Sequence, residues 1–205
     1  MDGIILELQR DAIDENIDIN ALLRKAYLVS YKLKLNDFEE WIRQEQEGYS
    51  GEIPKYRYIS GSIKALNPMR GWIPVMFTPD IEEIVSKFPM PNSISAIYDL
   101  YNSGEDQSIA FTLPSDLIES LNKSSPVETT YNYFSSKSEL FRIINTVRNK
   151  VLDWSLLLEE NGVIGEGLSF SEKELKTVKE SQVINNFTNN FYSDVTGVEI
   201  KQEKA

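Results

Sequence analysis

The chain has 205 residues, with no cysteine, no histidine and a formal net charge of −11. Because histidine is the usual general base near neutral pH and a common metal ligand, this composition excludes Ser/His/Asp triads, HExxH sites and thiolate chemistry within the chain. The acidic excess opposes a broad phosphate-binding surface, since each phosphate contact needs a cation.

The N-terminal residues give no sign of export. Asp2 stands where a signal peptide carries positive charge, and the apolar run 4–6 is far too short for its hydrophobic region. No later stretch approaches the ~20 apolar residues that a membrane span requires. We therefore predict a cytoplasmic protein that does not interact with a membrane.

Residues 1–48 are predicted to be helical. A short helix over the first thirteen residues is followed by two helices within 17–48, the first of which repeats apolar residues at spacings of four, three and four. Asn36 lies three residues before Glu39, the spacing of a capping box, and Gly48 is predicted to end the third helix. The repeated apolar residues of the second helix are Leu22, Ala26, Val29 and Leu33.

Residues 49–135 change to a mixed pattern. Aromatic and β-branched residues broken by glycine and proline predict two or three short strands between 55 and 77. Short helices are predicted after Thr78, at 93–102 and at 114–121, with a strand in SIAFTL and another from Val127 to Tyr133.

A long helix is predicted for residues 136–161. Its apolar residues alternate at spacings of four and three over about five turns. We favour a core helix over one that pairs with a partner, because a single apolar stripe usually packs within its own chain. The stripe consists of Leu140, Ile144, Val147, Val151, Trp154 and Leu158.

The run GVIGEG follows this helix and raises the question of a phosphate loop. A phosphate loop places its glycines between a strand and the start of a helix, whereas Gly162 follows a helix end and Glu166 carries negative charge. We therefore interpret Gly162 as a helix C′ residue and Gly165 and Gly167 as a chain reversal.

The last residues form a polar, Asn-rich tail. A disordered tail is one interpretation, and a strand-forming segment that assembles copies of the protein is the other, because exposed strand edges recruit other chains. The residues predicted for self-assembly are Phe187, Phe191, Val198 and Ile200.

These patterns predict an α+β fold, predominantly helical, with a small mixed central β region and one long C-terminal core helix. Residues 1–175 are predicted to form one domain, divided into 1–48, 49–135 and 136–161 as above. Residues 176–205 are predicted to form the tail.

Two stretches carry a family resemblance: EQEGYSGEIPKYRYISG, and RNKVLDWSLLLEENGVIGEGLSFSEKE. They resemble the AbiTii family of bacterial phage abortive-infection proteins over most of residues 1–175, with Ile53 in place of the family's leucine. The resemblance implies a role in anti-phage defence and brings no assigned catalytic residue. The matching residues are Gly48, Tyr49, Pro54, Tyr56, Arg57, Val147, Arg148, Asn149, Leu152, Asp153, Gly162, Gly165, Glu166, Gly167, Phe170, Ser171 and Glu174.

The segment 53–73 is the best candidate for a ligand or partner surface. It has cations and aromatic residues but no acid, a combination that can hold a nucleic-acid backbone while bases stack. We favour a half-buried strand region that needs no ligand, because strands alternate in this way without one. The candidate residues are Lys55, Arg57, Tyr58, Lys64, Arg70 and Trp72.

No pattern predicts a catalytic, cofactor-binding or metal-binding residue, since the many carboxylates mostly lie on polar helix faces. We favour a non-enzymatic defence protein that senses a phage component or a protein partner and assembles through its tail. The alternative is a toxin enzyme that acts on nucleic acid or nucleotides through carboxylates and the Lys55–Arg70 segment. The net charge disfavours nucleic acid as a partner.

Overall fold

The computed structural model describes residues 3–181 and Ile184. These residues contain eight α-helices and an antiparallel five-stranded sheet, which confirms the predicted α+β class. The helices are α1 (Ile4–Ile13), α2 (Ile19–Leu33), α3 (Asn36–Glu47), α4 (Pro79–Val85), α5 (Ile94–Asn102), α6 (Ser115–Lys123), α7 (Lys137–Glu160) and α8 (Glu172–Glu180). The strands are β1 (Tyr58–Asn67), β2 (Gly71–Pro74), β3 (Lys87–Pro89), β4 (Ser108–Thr112) and β5 (Tyr131–Ser136).

The chain divides into two compact units. The helical unit comprises Met1–Tyr56, Pro91–Ile97 and Ile144–Ala205, and the sheet unit comprises Arg57–Met90 and Tyr98–Ile143. The predicted division into one domain at 1–175 and a tail at 176–205 stays a prediction.

The helical unit buries the apolar faces of α1, α2, α3 and the larger part of α7. Phe38 lies at its centre, with its ring centroid 3.9 Å from that of Trp154 and 5.1 Å from that of Trp41. The core interpretation of the α7 stripe is confirmed, because all six stripe residues are at most 3% exposed. Heptad-like spacing placed them on one side of the helix, and burial of that side stabilises it.

The start of α3 corrects one prediction. Its N-cap is Leu35, with no side-chain cap, and Asn36 is the first helical residue, so the predicted capping box is wrong. Lys34 adopts the left-handed conformation with φ of 60°, and the tight turn that results buries Leu35 at the cap position. Glu39 instead accepts a hydrogen bond from Tyr27 Oη at 3.1 Å.

The sheet unit has the strand order β2-β1-β5-β4, and β3 also pairs with β1. One face of the sheet is buried at Ile59, Ile63 and Tyr133, and Phe88 stacks on Tyr133 with ring centroids 4.9 Å apart. Residues on the opposite face alternate with these, as the period of two in a strand requires.

The last strand begins later than predicted. β5 starts at Tyr131, whereas Val127 is 69% exposed and lies in a turn. Ser125 Oγ donates to Val127 O at 2.8 Å and accepts from its N–H at 3.3 Å, a local bonding pattern that competes with strand pairing.

Candidate functional site

The structure separates the six residues predicted as a ligand or partner surface. Arg57 is fully buried and donates to Met90 O at 3.5 Å, so it cannot contribute to an exposed surface. Lys55 and Arg70 are exposed, Tyr58 is 37% exposed, and Lys64 and Trp72 are half-buried.

Two of these residues, Lys64 and Trp72, meet around a third that the sequence analysis did not single out. Strand register aligns Leu66 with Trp72 and Ser62 with Phe134, which places Lys64, Trp72 and Phe134 on one sheet face. Lys64 Nζ lies 4.7 Å from the Phe134 ring centroid, and the Trp72 and Phe134 centroids are 5.1 Å apart. The alternating patterns of β1 and β2 could have placed Lys64 and Trp72 on one face. The pairing of β1 with β5, which brings Phe134 beside them, could not be predicted from the sequence.

The residues predicted for self-assembly cannot be placed. Phe187, Phe191, Val198 and Ile200 lie outside the described residues.

The first family-marked segment builds a buried hydrogen-bonded cluster in the helical unit. Tyr49 Oη and Tyr56 Oη donate to Glu45 Oε1 at 2.5 and 2.6 Å, and Trp41 Nε1 donates to Tyr56 Oη at 2.9 Å. Burial, and then the negative charge of Glu45, raise the pKa of Tyr49 well above its usual value, so its hydroxyl remains protonated and donating. The cluster ties the end of α3 to the segment that follows it.

Gly48 lies in the same segment, at a position where the backbone accepts only glycine. Its φ is 98°, and an added Cβ would lie 2.9 Å from Pro91 O. Tyr49 N–H donates to that same carbonyl at 2.8 Å. Glycine is therefore required both for the conformation and for the close approach.

Arg148, from the second marked segment, holds the end of α1. Its Nη1 donates to Asp11 O at 3.4 Å and to Asp14 O at 3.3 Å, and its Nη2 donates to Ile17 O. The side chain is 7% exposed. An arginine at a helix C-terminus satisfies carbonyls that the helix leaves without partners, and its charge suits the negative end of the helix dipole.

The GVIGEG run is a helix stop, as the sequence predicted. Gly162 N–H donates to Glu159 O at 2.8 Å, and Val163 N–H donates to Leu158 O at 2.9 Å. These are the two bonds of a Schellman motif, and Gly162 has the positive φ, 74°, that its C′ position needs.

The turn that follows does bind an anion, and the anion is a side chain of the same chain. Glu174 Oε1 accepts from Ile164 N–H at 2.9 Å and from Gly165 N–H at 2.8 Å, while Oε2 accepts from Ser171 N–H and Ser171 Oγ, each at 2.7 Å. Ser171 and Glu174 also form the capping box of α8. The position that a phosphate would need is therefore taken by a carboxylate.

The charge of Glu174 is strongly held by these donors. Partial burial alone would raise its pKa, but the hydrogen bonds from Gly165, Ser171 and Ile164 lower the pKa to about 2. Gly3 and Gly165 pack closely on this turn, since an added Cβ at Gly3 would lie 2.5 Å from Gly165 O. The second marked segment therefore connects the end of α7 to the start of α8 and packs against the start of α1.

An apolar groove in the sheet unit was not anticipated from the sequence. It has a volume of about 960 Å³ and lies between the β1–β2 turn, the segment that leads into α4, and α6 with the chain after it. Met69 and Met76, which line it, are 92% and 89% exposed. Further lining residues include Leu66, Ile73, Val75, Ile81, Leu117, Leu121, Val127 and Tyr131.

Its prediction would have required knowing which segments meet. The lining comes from 65–85 and from 117–131, and each segment alone has ordinary strand, turn and helix patterns. The one local signal was Met69, which directly follows Pro68 and lies two residues before Gly71, where no strand or helix face would bury it. Met76 lies between Val75 and Phe77 and gave no such signal.

Residues 3–181 and 184 contain neither a cluster of acidic residues arranged for a metal ion nor a helix that could span a membrane. Every helix in this part of the chain is too short or too polar to cross one.

The described residues thus define an α+β protein with a helical unit closed by internal hydrogen bonds and a sheet unit that presents an apolar groove. The AbiTii family model matches residues 3–183. The chain belongs to the AbiTii family, which confirms the resemblance, and membership implies a role in phage abortive-infection defence. Neither the curated proteins nor the solved structures include a match to this chain.

Proposed function

We propose that the chain acts in abortive infection as a protein-interaction module, and that it engages a phage or host protein through the apolar groove of the sheet unit. The observation that carries the proposal is the exposure of Met69 and Met76 beside a groove lined by apolar side chains. Contiguous exposed apolar surface mostly marks an interaction site, because it is otherwise unfavourable in water. Methionine suits such a surface, since its flexible side chain adapts to a partner.

The test is phage protection by a groove variant. Cells that express the double variant Met69→Ser, Met76→Ser should lose protection, so that plaque counts rise to those of cells without the protein. The control is Ile13→Ser, a substitution at an equally apolar position of the helical unit that is 68% exposed. Thermal unfolding and expression level must match the wild type in both variants, and full protection by a folded groove variant would refute the proposal.

Assembly through the tail remains part of the proposal. The full chain with Phe187→Ser and Phe191→Ser should have a smaller mass by light scattering than the wild type if these residues join copies. An equal mass for the two proteins would remove this part and leave the groove untouched.

A toxin that acts on nucleic acid or nucleotides is the second candidate, and one observation favours it. Lys64, Trp72 and Phe134 share a sheet face, and a cation beside aromatic rings is the usual arrangement for holding single-stranded nucleic acid. Purified protein with Mg²⁺ should then degrade RNA, DNA or nucleotides, and Lys64→Glu with Trp72→Ala should abolish the activity. Intact substrates after incubation with the wild type would exclude this candidate.

A further inference from the structure

The segments that line the groove carry more exposed acidic residues than basic ones. The two segments that line it, 65–85 and 117–131, carry five carboxylates, and Asp116 directly precedes the second segment. All six carboxylates are exposed, and Glu128 is among the residues that line the groove itself. The two segments hold two cations, Arg70 and Lys123, and Lys123 is already bound to a carboxylate, with Nζ 2.7 Å from Glu119 Oε1. The acids are Asp80, Glu82, Glu83, Asp116, Glu119 and Glu128.

From this arrangement we infer that the groove takes a basic amphipathic helix of a protein partner, an inference that rests on the proposed function. Apolar side chains of the helix would fill the groove, and lysines or arginines flanking them would face the exposed carboxylates of these segments. Complementary charge around an apolar centre speeds association and rejects partners of the wrong sign.

A helix fits better than an added strand. β2 is an edge of the described sheet, but it has only four residues and ends at Pro74, which has no N–H to donate. The groove is defined instead by side chains from several segments, which is how an amphipathic helix is bound.

A protein segment also fits better than a small apolar molecule. A small ligand is normally enclosed over most of its surface. Met69 and Met76 are about nine-tenths exposed, and Ile84 on α4 adds apolar surface that is 75% exposed. The apolar area thus continues onto the open surface, where an extended partner would cover it.

The experiment measures fluorescence anisotropy of two labelled model peptides titrated with the full-length protein. Both are amphipathic helices with the same leucine face; lysines flank the face in one and glutamates in the other. We expect the lysine peptide to bind about tenfold more tightly at low salt, with the difference shrinking at high salt as the charges are screened.

Two matched variants locate the effect. Glu82→Lys, Glu83→Lys, Glu128→Lys reverses charge at the groove, and Glu15→Lys, Glu52→Lys, Glu160→Lys reverses the same amount at exposed positions of the helical unit. The first should abolish the preference for the lysine peptide, and the second should keep it. Equal binding of the two peptides, no binding of either, or equal effects of the two variants would overturn the inference.

Other occupants give distinct results. A dimer in light scattering that dissociates on Met76→Ser would assign the groove to a second copy of the chain, and saturable binding of a fatty acid without peptide binding would assign it to a small molecule. Either result overturns the inference. If Met69→Ser, Met76→Ser abolishes phage protection but the peptides show no charge preference, the proposed function stands and only the partner's chemistry is wrong. Lysine-peptide binding together with full protection by that variant would refute the proposed function.

Discussion

The two units differ in how far their polar and apolar side chains find partners within the chain. In the helical unit, several buried or half-buried polar groups are hydrogen-bonded: the Tyr49 and Tyr56 hydroxyls to Glu45, Arg148 to three carbonyls, and Glu174 to the turn after α7. Trp154 Nε1 is the exception among the described residues of this unit, since it is buried without a hydrogen-bond partner. In the sheet unit, apolar side chains around the groove are left in water, with Met69 and Met76 the most exposed.

Most residues that carry the family resemblance lie in a different unit from the residues of the proposed interaction surface. Most of the residues that carry the resemblance lie in the helical unit, where the hydrogen bonds described above hold helix ends and turns in place. The residues that carry the family resemblance therefore stabilise the fold and do not form the proposed interaction surface. The groove is made of unremarkable apolar residues, and its significance comes from their exposure.

The largest loss of stability should come from removing the hydrogen bonds of Arg148 at the end of α1. Arg148→Ala removes a buried side chain and the donor to the carbonyls of Asp11, Asp14 and Ile17, and should lower the free energy of unfolding by about 3 kcal/mol. Arg148→Lys keeps the charge but not the fork of donors, and should cost less. Urea denaturation measures both, and a change below about 0.5 kcal/mol in the alanine variant would contradict the capping role.

Two glycines of the turn make a matched pair. Gly165→Ala places a methyl group in a residue with φ of 75°, where Cβ would lie 3.1 Å from both Ser169 O and the Phe170 ring, so it should cost about 2 kcal/mol. Gly162→Ala meets open space and has only the unfavourable φ, so it should cost about 1 kcal/mol. Thermal unfolding compares them, and equal losses would show that close packing at Gly165 is unimportant.

Glu174 makes the closure dependent on pH. Its pKa is lowered from 4.5 to about 2 in the folded chain, so its contribution is present above pH 4.5 and is lost as the pH falls towards 2. Because the side chain is only partly buried, so that solvent screens its charge, we expect Glu174→Ala to cost about 1 kcal/mol at pH 7. The loss should shrink across this window, as measured by urea denaturation at several pH values. A loss that is the same at pH 2 and pH 7 would exclude the charged carboxylate as its source.

The sequence predicted local structure far better than it predicted partners. Apolar spacing located the α7 core stripe, and Gly162 located its end, because both depend on residues a few positions apart. Arg148 bonds to carbonyls more than 130 residues away, and Glu174 accepts a hydrogen bond from Gly165, nine residues earlier in the chain. Neither partner leaves a periodic signal.

The sequence misplaced Arg57 and gave no indication of the groove for the same reason. Arg57 looked like one more cation of an alternating strand, yet it lies in the short 3-10 helix Lys55–Arg57 and is buried. The groove depends on segments 65–85 and 117–131 coming together, and that depends on β-strand pairing over long separations. Exposure is a property of the assembled fold, so single-sequence patterns do not reveal it.

The smallest effect on stability is expected where the proposed function is most sensitive. Met76→Ser removes a side chain that is 89% exposed, so the free energy of unfolding should change by less than about 0.5 kcal/mol. Met90→Ser is the matched control in the same unit, since Met90 is 2% exposed and its loss should cost about 3 kcal/mol. A large loss in Met76→Ser would mean that this methionine supports the fold, and the contrast between a closed helical unit and an open sheet unit would then fail at the groove itself.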